Sequence, residues 1–254
     1  LEDDLNVNSV WSQERLVLRL GVIVAALAWL TGLGSGHPRP VLAAEKAVVL
    51  PAPALDNPKA PTATQTAVIA GGCFWGVQGV YQHVRGVQRV LSGYAGGTKA
   101  TADYEAVSRG NTGHAESVEI RFDPKEISYG EILQIYFSVA HDPTQLNRQG
   151  PDTGPQYRSN IFYADESQKR VAQAYIAQLD KAKAFGRAIV TRVDPLNGFY
   201  AAEAYHQDFL IKNPTYPYIV IHDLPKIEQL KKAFPARYRE QAVTVDATPS
   251  AAVR

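Results

Sequence analysis

The stretch Thr66-Ala67-Val68-Ile69-Ala70-Gly71-Gly72-Cys73-Phe74-Trp75-Gly76-Val77-Gln78-Gly79-Val80-Tyr81 changes its hydrophobic period half-way along. Thr66–Ala70 is a short apolar run closed by a glycine pair, and it reads as a strand. Beyond the pair, Val77, Val80, Tyr81 and Val84 recur at i, i+3, i+4 and i+7, the spacing of one helix face. A strand that turns through glycines into a helix opens a β-α unit, and the rest of the chain repeats the alternation. Val87–Tyr94 reads as a strand. Glu116–Asp123 alternates strictly, with Val118, Ile120 and Phe122 on one face and Ser117, Glu119, Arg121 and Asp123 on the other. Tyr129, Ile132, Leu133 and Tyr136 mark a second helix, and Asn160–Ala164 a strand. Asp165 or Ser167 then caps a third helix carrying Ala172, Tyr175, Ile176 and Leu179. Ala188–Val193 reads as a further strand and Phe199–Gln207 as a short helix. Strands separated by helical patterns give a two-layer α/β arrangement, with helices packed on a mixed sheet.

The chain has 254 residues, 45% of them hydrophobic and 20% charged, enough for a core that needs no covalent staples. Lys and Arg number 26 against 25 Asp and Glu, a formal charge of +1. A nucleic-acid partner calls for concentrated basic charge, so no nucleic-acid binding is expected. The single cysteine, Cys73, excludes an internal disulfide and a cysteine-rich zinc site. Methionine is absent altogether.

The ends differ in character from the middle. Arg15 and Arg19 precede the apolar run Leu20–Leu33, which is shorter than the ~18 residues of a spanning helix and fits a signal-peptide core of roughly 7–15. Small residues follow at Val41-Leu42-Ala43-Ala44, whereas the acidic opening Leu1-Glu2-Asp3-Asp4 does not suit a signal n-region. Residues 1–43 are accordingly read as a signal peptide and the protein as periplasmic or secreted. An uncleaved leader anchored in a membrane is the other reading. Residues 44–66, rich in Ala, Pro and Thr, read as a disordered linker, 67–239 as the folded domain, and 240–254 as a disordered tail.

Three features carry chemistry. Cys73 stands where a strand meets a helix, near the free amides and positive end of the helix dipole, a setting that lowers a thiol pKa. Phe74 and Trp75 add two apolar rings beside it. A lone cysteine is commonly a small buried hydrophobe, but glycine and aromatic neighbours at such a junction make a poor core plug and favour a nucleophile. Glu116, counted back from Phe122, Ile120 and Val118, falls on the apolar face. It is either an inward carboxyl with a raised pKa, fit to act as a general acid, or a strand-end carboxylate paired or solvated. The long polar loop from His141 to Ser159 holds Arg148, Asp152, Tyr157 and Arg158, which serve either a ligand or the loop itself.

These stretches resemble the A-type peptide methionine sulfoxide reductases across residues 67–239. The matching motifs are Gly-Cys73-Phe74-Trp75-Gly, Gly93–Gly97, Gly113-His-Ala-Glu116, His141-Asp-Pro-Thr, Asn147–Gly150, Asp152–Ser159 and Ala202–Gln207. The resemblance implies a ferredoxin-like plait and reduction of the S epimer of methionine sulfoxide, free or in proteins. It implies Cys73 as nucleophile, Glu116 as acid, and Tyr104 and Tyr157 as oxygen-binding hydroxyls. Phe74 and Trp75 are implied as the pocket for the substrate methyl, and Asp152 as an organiser of the site and of regeneration. No cofactor is implied. With no cysteine after Cys73, the sulfenic acid needs an external thiol: a thioredoxin-like protein, glutaredoxin or a small thiol. The protein is expected to be a monomer whose other partners are its oxidised substrates.

Two other classes of function compete. A catalytically inactive methionine- or sulfoxide-binding module would lack Glu116 or the tyrosines. A cysteine hydrolase or acyltransferase would need His114 or His206 beside Cys73. Export carries its own prediction: N-terminal sequencing of the protein from its native host should find a start near Ala44 or Glu45, whereas an intact leader in the membrane fraction would establish the anchor.

Overall fold

The computed structural model describes residues 48–57 and 64–245. In chain order the strands are β1 (Gln65–Gly71), β2 (Val87–Ala95), β3 (Ala115–Phe122), β4 (Arg148–Gln149), β5 (Asp152–Thr153), β6 (Ser159–Tyr163), β7 (Arg192–Pro195) and β8 (Phe199–Ala201). The helices are α1 (Phe74–Gln82), α2 (Tyr104–Ser108), α3 (Tyr129–Ile135), α4 (Glu166–Lys181), α5 (Phe209–Lys212) and α6 (Leu224–Ala233). Six strands form one sheet in the order β7-β6-β1-β3-β2-β8, while β4 and β5 pair as a small separate ribbon. β1 runs antiparallel to β3 and β6, and β2 to β3 and β8; only β6–β7 is parallel, joined through α4. The sheet is therefore mixed.

Alternation along the strands makes the two layers. Ala67 and Ile69 of β1, Val118, Ile120 and Phe122 of β3, and Ile161 of β6 share one buried cluster with Val77, Val80 and Tyr81 of α1, Ile132 and Leu133 of α3, and Val171, Tyr175 and Leu179 of α4. The opposite face holds only a small cluster, Val68, Ala70, Ala95, Ala115 and Phe162. Local chemistry fixes the helix starts. Ser128 and Glu131 form a capping box on α3, and the Asp165 carboxylate accepts from the Gln168 amide at the head of α4.

Several expectations need correction. The strand expected at Ala188–Val193 lies later, at Arg192–Pro195, where it pairs with β6. Phe199–Gln207 is not a helix: Phe199–Ala201 joins the β2 edge and only Ala204–His206 makes a tight turn. Gly93 allows this close pairing, since a Cβ there would strike the Phe199 ring and the Tyr200 carbonyl.

The linker expectation fails over residues 48–57. Leu50 is 3% exposed and belongs to the main core, and Val48 N–H donates to the Ser138 carbonyl at 3.1 Å. Gln134 donates to the Leu50 carbonyl at 2.7 Å, and the Tyr175 hydroxyl to the Pro51 carbonyl at 2.8 Å. The Asp56 carboxylate accepts from the Gly130 amide at 2.8 Å and from the Ser128 hydroxyl. Prolines keep this segment out of helix and sheet, and side chains of α3 and α4 take up its carbonyls instead. The tail is held as far as Val245: Val243 N–H donates to the Gln82 carbonyl, and Val245 N–H to the Asp208 carboxylate. Residues 1–43, read as a signal peptide, lie outside the described residues. Among the described residues no helix is long and apolar enough to cross a membrane.

Leu50→Ala should destabilise the domain by roughly 2–3 kcal/mol, the cost of emptying a core leucine site. Urea unfolding checks this, and an unchanged midpoint would mean that residues 48–57 do not seal the core.

Candidate active site

Cys73 is the N-cap of α1, and the backbone is shaped to put it there. Gly72 has φ of +90°, and a Cβ on it would come within 2.5 Å of the Gln149 side chain. The Cys73 side chain makes no capping bond; the Phe74 amide instead donates to Glu116 Oε2 at 3.0 Å. Glu116 reaches it from β3, on the same face as Val118 and Ile120, and is 4% exposed. Of the two readings open for Glu116, the inward carboxyl is the one found.

Burial pushes the Glu116 pKa up to about 8; the Phe74 amide works against the shift, and Asp152 and Asp223 reinforce it. Cys73 contradicts its sequence reading. Its thiol pKa is raised, first by burial and then by Glu116, Asp223 and Asp152, and the Trp75 amide opposes them. The helix dipole is real, but three acidic side chains surround the thiol, so the resting site holds a neutral thiol beside a neutral carboxylic acid. Asp152 accepts a hydrogen bond from the Tyr218 hydroxyl. Asp223 is fully buried with Lys226 Nζ 3.3 Å away, and its Oδ2 has no hydrogen-bond partner among the described residues.

Tyr104 and Tyr157 converge on this group from separate elements. Tyr104 begins α2, where Asp103 caps the helix and the Tyr104 amide donates to Glu203 Oε1 at 2.9 Å. Tyr157 ends the tight turn Pro155–Tyr157. Both phenols are pushed up by burial and then by Glu116, with Cys73 contributing to each, so both stay protonated as donors beside the carboxyl and the sulfur. Glu203 also accepts from the Tyr94 hydroxyl at 2.8 Å, tying β2 to the start of α2.

The aromatic wall divides its labour. Trp75 stacks on Phe209 with ring centres 3.8 Å apart, and Tyr216 and Tyr218 meet its edges. Phe74, expected to share the pocket, is 1% exposed and backs the site from the core, against the rings of His206 and Tyr94. His206 accepts from Trp75 Nε1 at 3.1 Å, and His114 is engaged by the Gly97 amide and the Thr98 carbonyl. No hydrogen bond joins either histidine to Cys73 among the described residues, and the hydrolase reading loses its base.

Sequence reasoning missed Tyr218, Asp223, Lys226 and Glu203 as parts of the site, and weighed His206 only as the base of a hydrolase. A signal for Asp223 did exist in Gly76, whose missing Cβ makes room for Asp223 Oδ1, though it names no partner.

A family model described as peptide methionine sulfoxide reductase matches residues 65–238. The chain belongs to the peptide methionine sulfoxide reductase family. It is similar to peptide methionine sulfoxide reductase MsrA 2 of Mesorhizobium japonicum, 61% identical over 187 residues that cover 74% of this chain and 96% of that protein. A Synechocystis protein of the same name is 53% identical, over 76% of this chain and 92% of its own length. Among solved structures, reduced Mxr1 of Saccharomyces cerevisiae is 33% identical with a TM-score of 0.55, covering 62% of this chain and 90% of that one.

Glu116 as the acid of such a reductase predicts a pH dependence. Its acid is present below pH about 8 and lost above it, so kcat/KM should decline on the alkaline side of that value and Glu116→Gln should lose that limb. Stability runs the same way: the folded protein holds a proton that the unfolded chain releases near pH 4.3 or about that. The free energy of unfolding should therefore fall as pH rises from about 5 to about 8, and fall less in Glu116→Gln. Urea unfolding at the two pH values, with kcat/KM profiles, checks both; identical profiles for the two proteins would remove Glu116 as the titrating acid.

Proposed function

We propose that the chain reduces the S epimer of methionine sulfoxide, free or in proteins, in repair of oxidative damage. The observation that carries this reading is the Phe74 amide bond to Glu116, which places a buried carboxyl and the Cys73 sulfur at one helix N-terminus. Trp75 offers its apolar face to the substrate methyl, and the Tyr104 and Tyr157 hydroxyls donate to the sulfoxide oxygen. Cys73 Sγ bonds to the substrate sulfur as Glu116 gives its proton to the oxygen, and the thiol proton replaces it on Glu116. The oxygen then leaves the substrate sulfur for Cys73. Methionine and a Cys73 sulfenic acid result: the sulfoxide gains two electrons, the thiol loses two, and no net proton is consumed. A neutral thiol and a neutral acid are the pair that this proton count needs. An external thiol, from a thioredoxin-fold protein or a small molecule, then forms a mixed disulfide with Cys73 and releases water, and a second thiol frees Cys73 as the external disulfide forms. Asp152, fixed by Tyr218, orders the entrance to Cys73 for both steps.

With one cysteine in this chain, enzyme and excess sulfoxide without reductant should yield about one methionine per chain and stop, with one oxygen added to Cys73. Cys73→Ser should yield none. Glu116→Gln should slow the burst by roughly 10²–10⁴-fold, and the Tyr104→Phe, Tyr157→Phe double variant should lose far more than either single one. A burst near two methionines per chain, or turnover by Cys73→Ser, would overturn the mechanism.

A further inference from the structure

Tyr104 is carried by α2, a helix of five residues, and a helix that short does not hold itself in place. Asp103 caps it by accepting from the Ala106 amide, which leaves the Tyr104 amide to another partner. That partner is Glu203. Its Oε1 accepts from the Tyr104 amide at 2.9 Å, and its Oε2 accepts from the Tyr94 hydroxyl at 2.8 Å. Tyr94 is fully buried on β2 and stands directly opposite Glu116 of β3. Residues opposed in this way share a face of the sheet, with Cβ atoms about 4.5–5.5 Å apart. Two links therefore run from the acid to the head of α2. One crosses the strands from Glu116 to Tyr94, and the other passes from Tyr94 to Tyr104 through a single carboxylate.

The same segment also reaches the Tyr104 ring. The His206 amide donates to the Glu203 carbonyl at 2.9 Å, and the turn so formed sets the His206 ring against that of Tyr104, with centres 4.5 Å apart. Tyr157 is mounted separately. Its turn is closed by its own backbone, the Tyr157 amide donating to the Gly154 carbonyl at 3.0 Å, and no hydrogen bond joins Glu203 to it among the described residues.

We propose that Glu203 is a positioning residue for the reduction, holding the head of α2 to the strand pair that carries Glu116 and so setting the Tyr104 hydroxyl at the sulfoxide oxygen. The inference rests on the oxygen-binding role of Tyr104 in the proposed function. Glu203 acts through Tyr104 and not on the substrate. Such a role has consequences for rate, because misplacing a reacting or stabilising group by about 1 Å can cost about 10²-fold. Its chemistry is that of two acceptors on one side chain. Glutamine in its place still serves both neighbours, its oxygen facing the Tyr104 amide and its NH2 the Tyr94 oxygen, which accepts as well as donates. Alanine serves neither.

The two tyrosines supply the test, since each covers for loss of the other. The rate of the methionine burst is measured on the full chain in the unmodified, Tyr104→Phe and Tyr157→Phe backgrounds. Glu203→Ala alone should slow the burst about as much as Tyr104→Phe does. In the Tyr157→Phe protein, where Tyr104 is the remaining hydroxyl of the pair, it should slow the burst by roughly 10²-fold. In the Tyr104→Phe protein, which has no hydroxyl there to misplace, it should change the rate by no more than about twofold. Glu203→Gln in the Tyr157→Phe protein should bring the rate back to within about threefold. Tyr94→Phe keeps its ring in the core and should give the same pattern at smaller size; it decides the question if urea unfolding shows that Glu203→Ala does not fold. Equal slowing in the two backgrounds would overturn the proposal, because general loss of structure does not distinguish the hydroxyls. So would a loss below about threefold in the Tyr157→Phe protein, or no recovery with glutamine. The Tyr104→Phe, Tyr157→Phe double variant separates the two readings. If it keeps its burst rate, the oxygen site of the proposed function fails and takes this inference with it; if it slows while Glu203→Ala breaks the pattern, this inference fails alone.

Discussion

The bond from the Phe74 amide to Glu116 holds the site together because it reconciles two opposed forces at one point. A helix N-terminus favours negative charge by about 0.3–1 kcal/mol, rising to about 2 where partly buried. Removing a carboxylate from water costs several kcal/mol. Burial therefore wins, and Glu116 keeps its proton to about pH 8 while still capping the helix. The same bond fixes α1 on β3 and so sets the distance between the thiol and the acid. Gly71 and Gly72 follow from it: the chain must leave β1 and enter α1 beneath the His141 and Gln149 side chains, where a Cβ has no room.

Crowding acids around a thiol has a second effect, visible in how the carboxyls are partnered. Glu116 has one amide, Asp152 has the Tyr218 hydroxyl, and Asp223 has Lys226. Only Asp223 is given a cation. The difference matters, since a cation beside Glu116 would hold it ionised and remove the acid from the reaction. The paired charge is instead placed under α1 against Gly76, where Asp223 shapes the field around Cys73 from behind.

Much of this was legible along the sequence, for local reasons. The alternation of Val118, Ile120 and Phe122 gave the face of β3 and carried Glu116 inward with it. Asp165 announced its helix by capping chemistry that operates within four residues. What failed was information held between distant elements. Residues 48–57 look like a linker because their own pattern is weak; their order comes from Ser138, Gln134, Tyr175 and Gly130, all on the helical layer. Phe199–Ala201 looks helical until the open edge of β2 supplies its partners. The thiol was misjudged in the same way: the dipole belongs to its own helix, but the acids that oppose it come from β3, β5 and the segment leading into α6.

The aromatic side of the site is held as firmly as the acidic one. Trp75 is fixed by Phe209 on its face, Tyr216 and Tyr218 at its edges, and His206 on its ring nitrogen, so it has little freedom to swing across the sulfur. Tyr218 belongs to both walls, touching Trp75 with its ring and Asp152 with its hydroxyl. A residue shared in this way locks the aromatic wall to the carboxyl beside the sulfur. The two half-reactions place opposite demands on that sulfur. The first delivers oxygen from a neutral, largely apolar donor into a nest of protonated groups. The second brings a thiolate to the same sulfur, where the proton on Glu116 and the Lys226 partner of Asp223 limit the negative charge it meets.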